Sequence, residues 1–540
     1  MQKIINSLKK NKYLVFFSLM ACVAIIIIIY ENSRHINIID NQVPLSNIFT
    51  YNEIGNANYF NPKTGKYYAD PEFKIEANDN TGFLFQLFEE TEGNITLPEG
   101  NFLCKTKLVI KGKNTTITGV KGETKIIFSS ESFYNYGRGA LAECLLSNEN
   151  HEKEYNEKTA QKINLRNLIF EYKRTTSNSP KTIALFRNVN GLVVDNCEFF
   201  ADYDNQIDVT NFDLYSGCKN VKIYDSKFIN HTKANEGGCI WVRNLTSDYE
   251  IKGNNTENVI IEKCFFSKDS GDEVIAVFSS RGNIRNVTVK DCDINDYSNI
   301  DDIVLSAYSS GNQYYGTVSD VTFENNRIYS IDFQAFLFMI GMDGRKNEVK
   351  NVNIINNTIT TGSMNNKQKF IINVGNGNVN NVLVDNNTII AENLSLSGAI
   401  RKAHIVKNNT IIGDLGFGIR GGEAIGNNID GAKIGIDSPI IASGNTITNC
   451  KVGISAVPGQ ISISNNKITL NESLGSGGIE IKGKTADDIV LDCSKNEIIT
   501  KDKSQFGFLL HNGNISLVDN NVSGPGDFMY SSRNTTIAYN

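Results

Sequence analysis

The chain has no Cys-x-x-Cys pair and no Cys/His cluster at zinc spacing, although it holds 10 cysteines in 540 residues. That excludes a structural zinc module, and the cysteine spacings do not describe a small disulfide-stapled scaffold. There is no basic excess. The net charge of −6 speaks against nucleic acid as a partner. No EF-hand spacing occurs. Proline is scarce (8 residues), tryptophan occurs once, and the strand-like runs described below have no helical pattern between them. What is present is glycine (44 residues), abundant asparagine, and 40% hydrophobic content, ample for a large core. Length alone would allow several domains, but repetition points to one long domain.

The N-terminus differs in kind. Residues 1–12 form a basic flank with Lys3, Lys9, Lys10 and Lys12, and an apolar run, YLVFFSLMACVAIIIIIY, fills 13–30. At about 1.5 Å rise per residue, such a run nearly spans a hydrocarbon core of roughly 30 Å. The basic flank belongs in the cytoplasm, which sends the rest of the chain outside. No small-residue cleavage site follows, so the expectation is an uncleaved, single-pass signal anchor in the cell membrane. A cleaved signal or a lipoprotein processed at Leu19-Met20-Ala21-Cys22 is the alternative. Residues 31–75, polar with aromatics, read as a stalk or linker.

From there one phrase returns: apolar, polar, apolar, then one or two Asn or Asp, then apolar. Instances are LVVDNCEF, VKIYDSKF, VIIEKCFF, VTVKDCDI, VTFENNRI, VNIINNTI and VLVDNNTI. Aligned on it, one column runs Leu168, Cys197, Ser226, Cys264, Cys292, Asn326, Asn357, Asn387, Asn409, Asn445, Asn466, Asn496 and Asn521. Period-two alternation means strand. Repeats of roughly 20–40 residues without helices mean one solenoid coil each. Coils then stack about 4.8 Å apart. Asn at the turn can take left-handed angles and bond the Asn of the next coil through its side-chain amide. Residues 79–102 open this domain with a short amphipathic helix, Phe83, Leu84, Leu87 and Phe88 on one face, capped by Asp79 or Thr81. It would cover the unpaired first coil.

ITLPEGNF followed by LVIKGKNTTITGV resembles the opening of the pectate-lyase-like superfamily, and the repeat extends that likeness over 75–540. The resemblance implies an all-β, right-handed parallel β-helix over 76–540, with an N-terminal capping helix and one transmembrane signal-anchor helix before it. It also implies action on polysaccharides.

Carboxylates cluster before three strand-like runs: Glu236 before Cys239, Asp272 and Glu273 before Val274, Asp301 and Asp302 before Ile303. If the ladder fixes register, these mouths stack within about 10 Å. Like charges at about 5 Å repel by roughly 3 kcal/mol at an effective dielectric near 20. A hydrated turn, a cation or a raised pKa relieves that, and in an enzyme one acid can keep its proton while its neighbour stays ionised. SGDEVIAVFS is also similar to the polygalacturonase stretch Gly-Asp-Asp-Cys-Ile-Ala-Ile-x-Ser. That likeness implies Asp272 as the acid and Glu273 as a water-activating partner. The departures are plain: NIDDIVLS stands where that family has Gly-His-Gly, Asn235-Glu236-Gly237 where it has Asn-Thr-Asp, and no Arg-Ile-Lys is present.

The catalytic candidates are therefore Asp272, Glu273, Asp301 and Asp302. Glu236, His231, Lys233, Trp241, Arg243 and Arg281 are candidates for substrate contact, each with a bland alternative as surface charge or core. For Trp241 the alternation leaves the direction open. No motif fixes a cofactor; calcium is the one candidate, with Asp291, Asp293, Asp296, Asp301 and Asp302 offering oxygens. The expected function is extracytoplasmic hydrolysis or β-elimination of an acidic polysaccharide. A glycan-binding adhesin or structural solenoid and a uronate epimerase are the alternatives.

Overall fold

The computed structural model describes residues 54–539 except 130–143, 149–159, 174–180, 204–209, 233–236, 245–254, 269–272, 280–281, 297–304, 310–315, 331–335, 342–347, 363–369, 376, 458, 473–475 and 483–488. The apolar run 13–30 lies outside these residues; among the described residues no helix is long and apolar enough to cross a membrane.

Nearly all of the described chain is strand, and 45 strands join in one sheet system. Most strands pair in parallel with the third strand before and the third after, so three strands complete one coil, the arrangement of a parallel β-helix; where two faces share one long strand, as in Thr388–Arg401 and Phe506–Val518, the step is two. The strands fall on three faces. Sheet I contains, for example, Val189–Asp195, Lys219–Tyr224 and Thr256–Glu262; sheet II contains Glu198–Tyr203, Lys227–Thr232 and Phe265–Lys268; sheet III contains Thr210–Tyr215, Ile240–Asn244 and Ile275–Ser279. Inward side chains meet their own kind one coil on. Phe170, Phe199, Phe228 and Phe266 on sheet II stack with ring centroids 5.1, 5.2 and 5.3 Å apart.

The corner between sheets I and II carries the asparagine ladder. Asn326, Asn357, Asn387, Asn409, Asn427, Asn445, Asn466 and Asn496 are all buried there. Each Oδ1 from Asn357 onward accepts from both the backbone N–H and the side-chain amide of the preceding rung, at 2.8–3.1 Å. Each Nδ2 also donates to a strand carbonyl, as Asn409 does to Val384 O at 3.0 Å. Buried amides with every group paired stabilise a corner instead of straining it. The left-handed residue is the one before the rung: Asn325, Asn356, Asn386, Asn408 and Asn465 all have φ near +55°. Two details differ from the aligned column. The step from Asn409 to Asn445 is two coils, with Asn427 as the middle rung, and the last rung is Asn520, which accepts from Asn496 at 2.8 Å. Towards the N-terminus Cys292, Cys264, Ser226 and Cys197 continue the column. Cys292 N–H donates to Asn326 Oδ1 at 3.0 Å, and all of these thiols are free and buried.

At the start, Thr81–Phe85 and Gln86–Glu90 form a short helix that buries Leu84, Leu87 and Phe88. Phe83 stacks on Phe102 at 6.0 Å, and Thr81 N–H bonds Asp79 Oδ1 at 3.0 Å. The helix covers the first coil. Residues 54–75, within the segment expected as stalk, are folded: Tyr59–Asn61 and Lys66–Tyr68 pair antiparallel. Ala57, Tyr67, Leu103 and Ile127 form a small core of their own.

Candidate functional site on the outward face of sheet III

Along Thr210–Tyr215, Ile240–Asn244 and Ile275–Ser279 the register pairs Asp213 with Trp241 and Ala276, and Tyr215 with Arg243 and Phe278. Phe212, Leu214, Ile240 and Val242 belong to the core. Alternation therefore sends Asp213, Tyr215, Trp241 and Arg243 outward.

These four side chains form one cluster. Arg243 Nε donates to both Asp213 carboxylate oxygens at 3.0 and 2.9 Å, and its Nη2 donates to Oδ2 as well. Asp213 is completely buried and the Arg243 side chain is 15% exposed. Burial pushes the Asp213 carboxyl above its ordinary range, with Arg243 acting against that rise. The Arg243 guanidinium carbon lies 4.6 Å from the Trp241 ring and 5.0 Å from the Tyr215 ring. Arg187 approaches Tyr215 from the preceding coil at 5.5 Å, and Phe278 meets Trp241 edge-on at 6.4 Å. The Trp241 indole is half-buried, and its buried Nε1 has no hydrogen-bond partner among the described residues. Gly238 makes room for it: a Cβ there would stand 2.5 Å from Trp241 Nε1 and 2.4 Å from the Glu273 backbone oxygen.

The expected residues divide accordingly. Trp241 faces outward and Arg243 is committed to Asp213. Glu273 is 7% exposed, beside Gly238. His231 sits on sheet II, in register with Asp202, and meets Phe200 edge-on at 5.9 Å. Asp272, Asp301, Asp302, Glu236, Lys233 and Arg281 lie outside the described residues. The strands their loops enter do stack in register, Ile240 on Ile275 on Leu305. Of the calcium candidates, Asp291 accepts from Asn325 at 3.2 Å and Asp293 holds Arg327 at 2.6 and 2.7 Å. Among the described residues no three His, Cys, Asp or Glu side chains converge as metal ligands would.

Two residues escaped the sequence reading. Asp213 was legible in TNFDLY, where an acid alternates with Phe212 and Leu214. Lys268, completely buried, lies in register between Asn230 and Asp296 on sheet II. Nothing in FFSK marks it as interior.

No family model and no curated protein matches this chain. Solved structures do align with it. The Streptococcus pneumoniae surface adhesin PfbA aligns at a TM-score of 0.41 and 14% identity, over 85% of this chain and 96% of that one. The tailspike protein of E. coli bacteriophage HK620, in complex with a pentasaccharide, aligns at 0.47 and 14%, over 90% and 81%. The catalytic unit of a thermostable GH87 alpha-1,3-glucanase from Streptomyces thermodiastaticus aligns at 0.37 and 12%, over 85% and 67%. Likenesses this distant leave function to the chain's own residues.

Proposed function

We propose that this chain is an extracytoplasmic, carbohydrate-active, right-handed parallel β-helix of the pectate-lyase-like kind, acting on an acidic polysaccharide along the outward face of sheet III. The observation that carries the reading is Trp241. A half-buried, outward-facing indole backed by a guanidinium suits a sugar ring, whose apolar face stacks on it. The right hand follows from the general sense of parallel crossovers. Residues 13–30 serve as the membrane anchor that keeps the solenoid outside.

In the hydrolytic version, the Asp272 carboxyl gives its proton to the glycosidic oxygen. Glu273 or Asp301 takes a proton from a water as that water attacks the anomeric carbon. The C–O bond breaks and a new reducing end appears. A diagonal between adjacent coils suits the roughly 6.5–9.5 Å that an inverting pair needs. β-Elimination, with a Lys or Arg taking the proton α to a uronate carboxyl, and epimerisation use the same face. A second reading, a non-catalytic glycan-binding adhesin, draws support from the Asp213–Arg243 pair, which consumes the one acid of the described cluster that reaches Arg243.

Incubation of the full chain with a panel of acidic glycans tests this. New reducing ends mean hydrolysis, and absorbance from an unsaturated uronate means elimination. Binding without either means an adhesin. Absence of any binding refutes the proposal.

A further inference from the structure

The outward column of sheet III continues far beyond Trp241. On successive coils it places Asn373, Arg401, Arg420, Asp437, Ser455 and Glu480 in register. Neighbouring positions stand about 4.8 Å apart. Two guanidiniums therefore lie one coil apart, each against an aromatic ring: Arg401 is 5.0 Å from the Phe370 ring and Arg420 is 3.6 Å from the Phe417 ring. Their acid complement is unequal. Arg420 Nε donates to Asp437 at 2.7 Å. Arg401 pairs with no acid among the described residues, and its Nε is buried without a hydrogen-bond partner. Glu480 is occupied by Lys482 at 2.9 Å and by His511 at 3.7 Å.

Two further polar groups on the column are buried and unsatisfied. Asn373, one coil before Arg401, is 5% exposed, and Ser455 is 0% exposed. Among the described residues Asn373 Oδ1 and Ser455 Oγ each lack a partner. Ile372 and Val374, and Ile454 and Ala456, flank them in the core, so both polar side chains leave the outward face. Folded chains rarely leave buried donors and acceptors unpaired, and Asn373 one coil from the uncompensated Arg401 points to a ligand there, with Ser455 three coils further along the same column. A planar guanidinium with an Nε unpaired among the described residues, its carbon 5.0 Å from a ring, suits a carboxylate fork. The Asn373 amide beside it suits a hydroxyl.

From this we infer a second binding site, centred on Arg401 and Asn373, that takes the carboxylate of an acidic sugar residue. It rests on the reading that the outward face of sheet III binds glycans, and it adds that the acidic group is recognised here, several coils from Trp241. Asp437 is the positioning residue that holds Arg420 away, leaving Arg401 as the receiving cation.

Calorimetry on the full chain tests this with a uronic-acid tetrasaccharide, its carboxyl-reduced neutral counterpart, and inorganic sulfate, with Trp241 emission recorded in parallel. The acidic tetrasaccharide should bind and the neutral one should bind less tightly. Arg401→Gln should weaken the acidic ligand by about tenfold or more, the loss expected of a charge-assisted bond, while leaving any Trp241 response intact. Arg401→Lys, which keeps the charge without the fork, should fall between, and unchanged thermal melting of both variants shows that the fold survives. An Arg401-dependent carboxylate site with a silent Trp241 supports this inference and counts against the Trp241 reading. Unchanged affinity in Arg401→Gln overturns the inference whatever Trp241 does. So does Arg401-dependent binding of sulfate without binding of the acidic tetrasaccharide.

Discussion

Replacing Asn409 with alanine should unsettle the solenoid far more than its size suggests. Its Oδ1 is the acceptor for Asn387 N–H at 2.9 Å and Asn387 Nδ2 at 3.0 Å. Its own Nδ2 donates to Asn427 Oδ1 at 3.0 Å and to the Val384 and Lys407 carbonyls at 3.0 and 2.8 Å. The residue has no exposure, so water cannot replace these partners. Truncation strands one backbone N–H and one amide hydrogen of Asn387. At about 1–3 kcal/mol for each buried unsatisfied group, the cost is about 2–6 kcal/mol. Asn408→Gly is the control. Asn408 is exposed and left-handed at φ 55°, a conformation glycine adopts freely, and its side-chain bond to Asp385 at 3.0 Å is at the surface. That change should cost about 0.5 kcal/mol or less. Urea unfolding followed by circular dichroism measures both. Hydrogen exchange should rise in 378–390 and 423–430, because coils feel mainly their neighbours. If Asn409→Ala were no more destabilised than Asn408→Gly, the ladder would not be what holds the corner.

Two further outcomes follow from the charge geometry. Asp213→Asn and Arg243→Met, each removing half of a buried bidentate pair, should each cost about 3–5 kcal/mol, and the double variant should recover part of that loss; equal and additive losses in urea melts would contradict it. Glu262 lies between Lys222 at 2.9 Å and Lys290 at 3.1 Å. Burial would raise its pKa, but the two lysines outweigh that and hold it below the ordinary carboxylate range. A lowered carboxylate contributes stability above its unfolded pKa and loses it as pH falls through the folded value. The contribution is about 1 kcal/mol or less, given the exposed lysines. Glu262→Gln should therefore flatten the acid limb of a melting-temperature profile below about pH 4.5, and an unchanged limb would show that the pair contributes nothing.

Much of the solenoid was readable because its corner between sheets I and II is chemically repetitive. VTFENNRI and VLVDNNTI show the alternation, the left-handed residue and the rung in a single phrase. Asn427 was missed because the step from Asn409 to Asn445, shorter than the step from Ser226 to Cys264 in the same column, looked like one coil and concealed two short ones. Sheet III was harder to read. Its strands lack the corner phrase, and the loops before them differ in length, so register across sheet III depends on pairings elsewhere in the coil. Trp241 shows the difficulty. Cys239 and Ile240 are consecutive and both buried in the core, so the strict two-residue period breaks just before the tryptophan and its direction is not encoded by alternation. The outward direction of Asp213 could be read from TNFDLY, but its pairing with Arg243, 30 residues away, is announced by no local pattern.

The chain contains a single tryptophan, and it stands on the proposed glycan face, so its emission reports on that face alone. The most direct measurement is a titration of the full chain with acidic oligosaccharides, following Trp241 fluorescence alongside a calorimetric binding curve. The account predicts a saturable change in emission, and in Trp241→Ala loss of the component of the heat that shares its midpoint, leaving only the Arg401-dependent component. Calorimetric binding of full strength in Trp241→Ala, or saturation with no change in emission, would place the sugar elsewhere and contradict it.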